Sequence, residues 1–315
     1  MGENDGVLGF NSGFGIGLET EEGTPVDADM WFEAESNSWV EKTELHESDA
    51  VAHFVSGVVS VEDDSASAVP VKHDVGGGVA VIPRFAHLPR LLGLMFGGTC
   101  SGLEYTPAAT QTSFTVETDK GAEIESGKSV EQHAGNKVSK LTLSSEQNKP
   151  LKIAVEGIGR SMTMIAGTAP DWSAWSSDPP MMHDGLTLVS GPDEIPSGGI
   201  YDIEVEISRD NEDDHYCNST TRVAIPTGRL HASGKLTVPY NNTTAPMKTK
   251  IKAGTRFGLR PQWVGQDDET LDLVMSCKAT GEPKEISDAG AQKLEIAFKC
   301  VRTGATHAIE AVLGS

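Results

Sequence analysis

The chain has 315 residues, and its 25 Lys and Arg stand against 46 Asp and Glu, which gives a formal net charge of -21 at pH 7. An acidic excess of this size argues against a general nucleic-acid binder and against docking on anionic lipid, because both depend on Lys and Arg. Hydrophobic residues make up 37% of the chain, enough for a core. At roughly 150 residues per domain, the length favours two domains.

The first residues, MGENDG, are acidic and lack the basic and apolar regions of a signal peptide. No apolar run approaches the ~18 residues of a membrane helix. We therefore expect synthesis in a cytoplasm and no contact with a membrane. The four cysteines, Cys100, Cys217, Cys277 and Cys300, form no CxxC pair, so we expect free and mostly buried thiols.

The N-terminal segment, residues 1–18, is rich in glycine and polar residues and poor in core formers. This composition predicts a flexible arm that orders on a partner. The turn signal Glu19–Pro25 follows it, and the aromatic residues from Asp29 to Val40 then predict a strand that enters a core.

Most of the remaining chain is predicted to be β-structure. The clearest case is Tyr201–Ile207, where apolar residues alternate with Asp202, Glu204 and Glu206, as expected of a half-buried strand with one wet, acidic face. Strands are also predicted over 51–61, 79–82, 113–118, 138–143, 151–155, 236–240, 271–275, 294–298 and 307–313.

Helix signals are few. His87–Phe96 has apolar residues at helical spacing, with Pro89 suited to a first turn and glycines after it, and Met247–Lys252 is a weaker candidate. Residues 161–194 are rich in proline and are predicted to be a connector. Its aromatic residues Trp172 and Trp175 suggest that it packs on a neighbouring surface.

An internal repeat at an offset of 156 residues connects the two halves. It matches Gly78 with Gly234 and Gly98 with Gly254, and it superimposes the two helix candidates. Several matches at one offset, in the same order of strand, helix and glycine, favour duplication over chance. The repeat predicts a first β domain over 19–160 and a second over 195–315.

Motifs that could carry chemistry are weak. Gly127-Lys128-Ser129 lacks the phosphate-loop spacing, and Gly13-Phe14-Gly15-Ile16-Gly17 lacks the dinucleotide-loop spacing. The acidic run Asp210–His215 lacks the glycine and distant glutamate of a calcium loop, so it predicts a solvated loop and leaves weak ion binding open. No HExxH or GxSxG is present. We assign no catalytic, cofactor-binding or metal-binding residue, and the sequence favours a structural, non-enzymatic role.

Ordered segments of the chain resemble the tail tube proteins of long-tailed, siphovirus-like phages. The resemblance covers roughly residues 14–160 and 181–310, and it rests on the order of diffuse strand, glycine and aromatic positions. The segments that carry it are Phe14–Val26, Trp31-Phe32, Gly77–Val81, Leu88–Gly98, Ser113–Val116 and Gly135–Leu143, with Ile203–Asn211 and Gly228–Val238 in the second half.

The resemblance implies tandem β-sandwich or barrel-like domains, each with a short flanking helix. It implies a virion protein, made in the host cytoplasm, that oligomerises into stacked rings and conducts the genome to the host without binding it specifically. Tape measure, tail terminator and distal tail proteins would be its partners. A tail terminator, or a two-domain adhesin or carbohydrate-binding protein, is the alternative. The acidic strand at Asp202–Glu206 suits a lumen wall that does not hold DNA.

The repeat also predicts a ring stoichiometry. Rings in the resembled family contain six tube domains, usually from six chains, so three chains with two domains each would close a pseudo-sixfold ring. A ring of six chains, with the second half outside the wall, is the alternative.

Overall fold

A computed structural model describes most of the chain, and it confirms a mostly β fold with short helices. The predicted strand over 51–61 and the residues Trp172, Trp175 and Cys100 lie wholly or largely outside the described residues. Those residues are 13–46, 54–55, 58–59, 69–97, 103–119, 126–166, 179–189, 199–242, 244–265, 267–287, 292–302 and 307–314.

In the described residues of the first half, the α-helix is α1 (Leu88–Phe96), which follows a short 3-10 turn (Phe85–His87). Its strands are β1 (Gly13–Leu18), β2 (Met30–Phe32), β3 (Ala34–Asn37), β4 (Val40–His46), β5 (Phe54–Val55), β6 (Val58–Val59), β7 (Val69–Val81), β8 (Glu104–Tyr105), β9 (Phe114–Asp119), β10 (Val130–Glu146), β11 (Lys152–Gly159) and β12 (Ser161–Ile165).

The second half contains α2 (Ala245–Lys252), preceded along the chain by a 3-10 turn (His183–Gly185). Its strands are β13 (Leu186–Leu188), β14 (Asp202–Arg209), β15 (Leu230–Pro239), β16 (Phe257–Leu259), β17 (Pro261–Val264), β18 (Thr270–Ala279), β19 (Lys284–Ser287), β20 (Gln292–Cys300) and β21 (Ile309–Gly314).

One continuous antiparallel sheet, which we call the long sheet, runs through both halves. Its order is β4, β7, β11, β10, β14, β15, β20, β19, with β3 beside β4 along β7 and the end of β18 beside β19 along β20. Alternation along β14 places Ile203, Val205 and Ile207 in the core and leaves the acidic residues half-exposed, as the sequence predicts.

A second layer packs against the core face of the long sheet. In the first half, β1 pairs with β2 and β9, and the start of β10 pairs with β9 and β12. In the second half, β18 pairs with β16, β17 and β21, and β13 pairs with β17. Strand β8 of the first half pairs with β21 of the second. Strands β10 and β18 therefore each belong to both layers. The buried apolar side chains from both halves form one contiguous core.

Helix α1 lies as predicted, with Pro89 in its first turn and a left-handed C-cap at Gly97 (φ 80°). Glycine adopts this conformation without the steric penalty of a Cβ. The helix buries Leu88, Leu92 and Met95 almost completely, and α2 buries Met247 and Ile251.

The predicted N-terminal arm needs correction. Residues 13–18 form the buried strand β1 and pair with both β2 and β9. Glycine here allows close packing, since a Cβ on Gly15 would lie 2.6 Å from the Cβ of Ala28. The predicted connector is also corrected in two places, because β12 and β13 fall within 161–194.

The repeat holds for the order of strand and helix, since β7 precedes α1 as β15 precedes α2. The offset of 156 residues fails beyond the helices. It equates Ile153 with Ile309, yet Ile153 pairs with Val81 of β7 whereas Ile309 pairs with Met275 of β18. The division into domains at 19–160 and 195–315 stays a prediction.

Candidate functional site

The weak sequence motifs do not converge in the fold. Gly13–Gly17 lies in a buried strand, Lys128 follows a turn before β10, and Asp210–His215 belongs to the loop that joins β14 to β15. Within the described ranges, no group of three or more His, Cys, Asp and Glu side chains could hold a metal ion. Among the same residues, no helix is long and apolar enough to cross a membrane.

The junction between the two halves carries an extended set of polar contacts, and we call it the seam. It begins where β10 meets β14 in antiparallel pairing from Lys140 opposite Ser208 to Glu146 opposite Asp202. Leu141 and Leu143 on β10 lie opposite Ile207 and Val205, and all four are buried. The halves thus share both backbone hydrogen bonds and core.

Arg209, at the end of β14, binds the C-terminal end of helix α1 in the other half. Its guanidinium donates hydrogen bonds to the backbone oxygens of Met95 (3.0 Å), Phe96 (2.8 Å) and Ala108 (3.1 Å), and to that of Gly228. The side chain is 5% exposed, and burial lowers the pKa of Arg209. The negative end of the helix dipole also stabilises a cation at this position.

The loop from Asp210 to Arg229 continues the seam across the first half. Arg222 is buried and donates from Nη1 to the backbone oxygens of Val75 (3.0 Å) and Gly159 (2.8 Å). It also forms an ion pair with Asp74 on β7. These contacts satisfy a carbonyl group in the middle of β7 and one at the end of β11, so the loop fixes the position of both strands.

A half-buried ion pair lies on the other side of the loop. Lys137 on β10 contacts Glu22 Oε2 at 2.6 Å and donates to the backbone oxygen of Ile225 at 2.6 Å. The Ile225 N–H donates to Glu22 Oε1 at 2.8 Å. Each charge therefore has several partners, which is the condition under which a buried pair is tolerated.

The solvent side of the long sheet, which we call the open face, carries both charge signs. The Nζ atom of Lys140 lies 2.6 Å from Oε1 of Glu156, and Nζ of Lys235 lies 3.2 Å from Oε2 of Glu204. The hydrogen bond to Glu156 raises the pKa of Lys140. The acidic residues of β14 thus stand beside lysines of neighbouring strands. Strand β14 keeps its predicted acidic face, whereas the open face as a whole is mixed in charge. The acids on it are Glu146, Glu156, Asp202, Glu204, Glu206 and Glu295, and the lysines are Lys140, Lys152, Lys235, Lys293 and Lys299.

The two ends of the long sheet are edges. In the described chain, β4 pairs with β7 alone and β19 pairs with β20 alone. Val40 at the start of β4 and Ile286 in β19 are each 40% exposed, so each edge carries an exposed apolar side chain. An exposed edge with apolar side chains is suited to pairing with another chain.

Sequence reasoning missed the residues of the seam. Arg209, Arg222 and Lys137 are charged and would be assigned to the surface from their type alone. The only signal was the alternation along Tyr201–Ile207. Arg209 follows Ile207 by two residues, so the same alternation places it on the buried face of the strand. The carbonyl groups that it binds are contributed by distant segments.

A two-layer β fold whose halves are joined by a seam, with an unpaired edge at each end of its long sheet, is suited to assembly through strand pairing. A family model described as phage tail tube protein matches residues 9–300. The chain belongs to that family, and it is therefore a virion component of the phage tail that self-assembles into a tube. A comparison with curated proteins finds no match.

Proposed function

We propose that three copies of the chain close into a ring of six tube-like units, and that stacked rings form the conduit for genome delivery into the host. The observation that carries this proposal is the order of strands in the long sheet. The order β4, β7, β11, β10 in the first half is matched by β14, β15, β20, β19 in the second.

The two four-strand units have the same construction. Each starts with a hairpin, β4–β7 or β14–β15, which an α-helix follows, and each ends with a second hairpin, β10–β11 or β19–β20. The units meet where the last strand of the first, β10, pairs with the first strand of the second, β14. Pairing of β19 with β4 of the next copy would repeat this joint.

The exposed apolar residues support that joint. Val40 and Ile286 lie on the two strands that would meet, so ring closure would pair two rows of backbone groups and bring the two apolar side chains onto neighbouring strands of the open face. Closure leaves neither end of the long sheet free, which is the reason that cyclic assemblies stop growing within the ring. A ring of six chains with the second half outside the wall would leave the continuity of β10 and β14 without a role.

The open face would line the conduit. Its mixture of lysine and carboxylate gives DNA no continuous basic surface, so the genome would pass without specific binding. In this proposal the chain has no enzymatic activity and no cofactor. Its partners are further copies of itself and the tape measure, tail terminator and distal tail proteins of a long-tailed, siphovirus-like particle.

Electron microscopy of the purified full-length chain tests the proposal. Tubes of stacked rings are expected, and a helical reconstruction should show threefold symmetry with six similar units around each ring. True sixfold symmetry, with one half of every chain outside the wall, would contradict the trimer. A single ring per particle would favour the tail terminator, and a monomer that binds saccharides would favour the adhesin.

Edge variants test the joint itself. Val40→Lys and Ile286→Lys each place a charge on a strand that would meet its neighbour, and each should give folded monomers without rings. Val223→Lys is the matched control, because Val223 is 44% exposed in the loop of the seam rather than on an edge. Native mass spectrometry should find multiples of three chains for the control and single chains for the edge variants.

A further inference from the structure

Cys277 on β18 and Cys300 on β20 lie directly opposite each other in an antiparallel pair. The same face of the sheet therefore carries both side chains. Cys277 is fully buried and Cys300 is partly exposed, and both are free thiols. No role in the seam or at the sheet edges involves them.

The hydrogen bonds around the pair define its type. The Val301 backbone N–H donates to the Ser276 backbone oxygen (2.8 Å), and the Thr280 backbone N–H donates to the Ala297 backbone oxygen (3.0 Å). Hydrogen-bonded and non-hydrogen-bonded pairs alternate along an antiparallel ladder, so Cys277 and Cys300 occupy a non-hydrogen-bonded pair. Such residues have Cα atoms about 4.5 Å apart, which lies within the range of about 4.4–6.8 Å found for disulfides.

We propose that Cys277 and Cys300 are an oxidation site, and that a low-molecular-weight disulfide converts them into an intramolecular cross-strand disulfide once the particle leaves the reducing cytoplasm. The Cys300 thiolate attacks one sulfur of the small disulfide and releases one small thiol. The Cys277 sulfur, after losing its proton, then attacks the Cys300 sulfur and releases the second. Two protein thiols are oxidised and one small disulfide is reduced to two thiols.

Accessibility supports this order of steps. The partly exposed Cys300 can meet the small disulfide, whereas Cys277 is closed off from solvent. A hydrogen bond with the Cys300 thiol, together with burial, raises the pKa of Cys277, which keeps it a thiol until its partner has reacted. Reducing conditions in a cytoplasm would keep both thiols free during folding.

The position of the pair gives the disulfide a mechanical role. Strand β18 pairs with β21 in the second layer through Thr270–Met275 and reaches the long sheet only at its end, through Cys277–Ala279. A disulfide at this crossing would connect the two layers of the second half covalently. The inference concerns one chain, so it does not depend on how many copies form a ring.

Treatment of the reduced full-length chain with oxidised glutathione tests the proposal. Alkylation of the remaining thiols and peptide mapping should find Cys277 linked to Cys300, and the Tm should rise on the order of 5 °C. Cys217→Ser should behave like the parent, because Cys217 is exposed elsewhere, whereas Cys300→Ser should lose both effects.

Three outcomes would overturn the inference. They are a glutathione adduct that stays on Cys300 without resolving, a disulfide that involves Cys217 or Cys100, and unchanged thiols after prolonged oxidation. A disulfide without a change in Tm would contradict the proposed role of the bond in holding the two layers together. Mapping of the parent chain answers the question even if the Cys300→Ser variant does not fold.

Discussion

The Arg209 guanidinium, at the end of β14, lies 2.8 Å from the backbone oxygen of Phe96, the last residue of helix α1. One side chain thereby connects a strand of the second half to a helix of the first. Because the same guanidinium also satisfies the carbonyl groups of Met95 and Ala108, its loss would leave several buried acceptors without a donor.

We predict that Arg209→Met lowers the free energy of unfolding by about 3 kcal/mol, since unsatisfied buried acceptors cost about 1–3 kcal/mol each and part of that loss is recovered by packing. Arg229→Met, a matched change at an exposed arginine, should stay within about 0.5 kcal/mol of the parent. Urea denaturation measures both. Equal stabilities for the two variants would show that the contact to α1 contributes little.

A buried carboxylate predicts a dependence on pH. Burial raises the pKa of Glu117 above 4.5, although Gln132 donates a hydrogen bond to its Oε1 at 2.9 Å. The unfolded chain then loses this proton before the folded chain does, so stability should fall as pH rises from about 4.5 to the raised pKa and stay level above it. Glu117→Gln should remove this decline.

Denaturation of the parent, Glu117→Gln and the control Glu206→Gln across pH 4–7 checks the prediction. Glu206 lies on the open face, where its side chain is half-exposed, so its variant should keep the decline. A parent curve without any fall in this window would contradict the assigned environment of Glu117.

Charge balance on the open face predicts an effect on genome release. The double variant Glu204→Lys with Glu206→Lys makes the face basic, so DNA should move through it several-fold more slowly, and most slowly at low ionic strength, where screening is weakest. The control exchanges Glu204 with its partner as Glu204→Lys with Lys235→Glu, which retains the pair and the net charge. Ejection rates over a range of salt concentrations should separate the two, and equal rates would place this face outside the conduit.

Truncation distinguishes the N-terminal residues from strand β1. Deletion of residues 2–12 should leave a folded subunit that stacks poorly, in keeping with the predicted arm. Deletion of 2–15 also removes Phe14, which is 2% exposed in the core, so about 3–5 kcal/mol of stability should be lost. Tube length and thermal unfolding check the two variants. Normal tubes after the shorter deletion would reject an assembly role.

The sequence predicted the elements whose local pattern and burial agree. Strand β14 alternates because one of its faces is covered, and helix α1 combines apolar spacing with a proline start and a glycine stop. Strand β1 was missed because Gly13, Gly15 and Gly17 suggest a loop. In the fold, Gly15 allows the close approach of Ala28 and Trp31, which no local pattern reveals.

The seam was beyond prediction for a different reason. Burial of Arg222 depends on backbone carbonyl groups of β7 and β11. In the chain, Arg222 lies 147 residues from Val75 and 63 residues from Gly159, so no local pattern indicates these contacts. The mixed charge of the open face was also not predictable, because the alternation along β14 does not indicate which lysines the neighbouring strands contribute to that face.

The joint of β10 and β14 also bears on assembly kinetics. Within one chain, these strands meet at the high effective concentration set by their covalent connection, so the joint forms during folding and is independent of protein concentration. In a ring of three chains, every second joint would be complete before any two subunits met. The rate of ring formation would then depend on at most the third power of the subunit concentration. For six separate units the dependence would approach the sixth power. A ring of three chains would therefore allow tubes to begin growing at a lower subunit concentration.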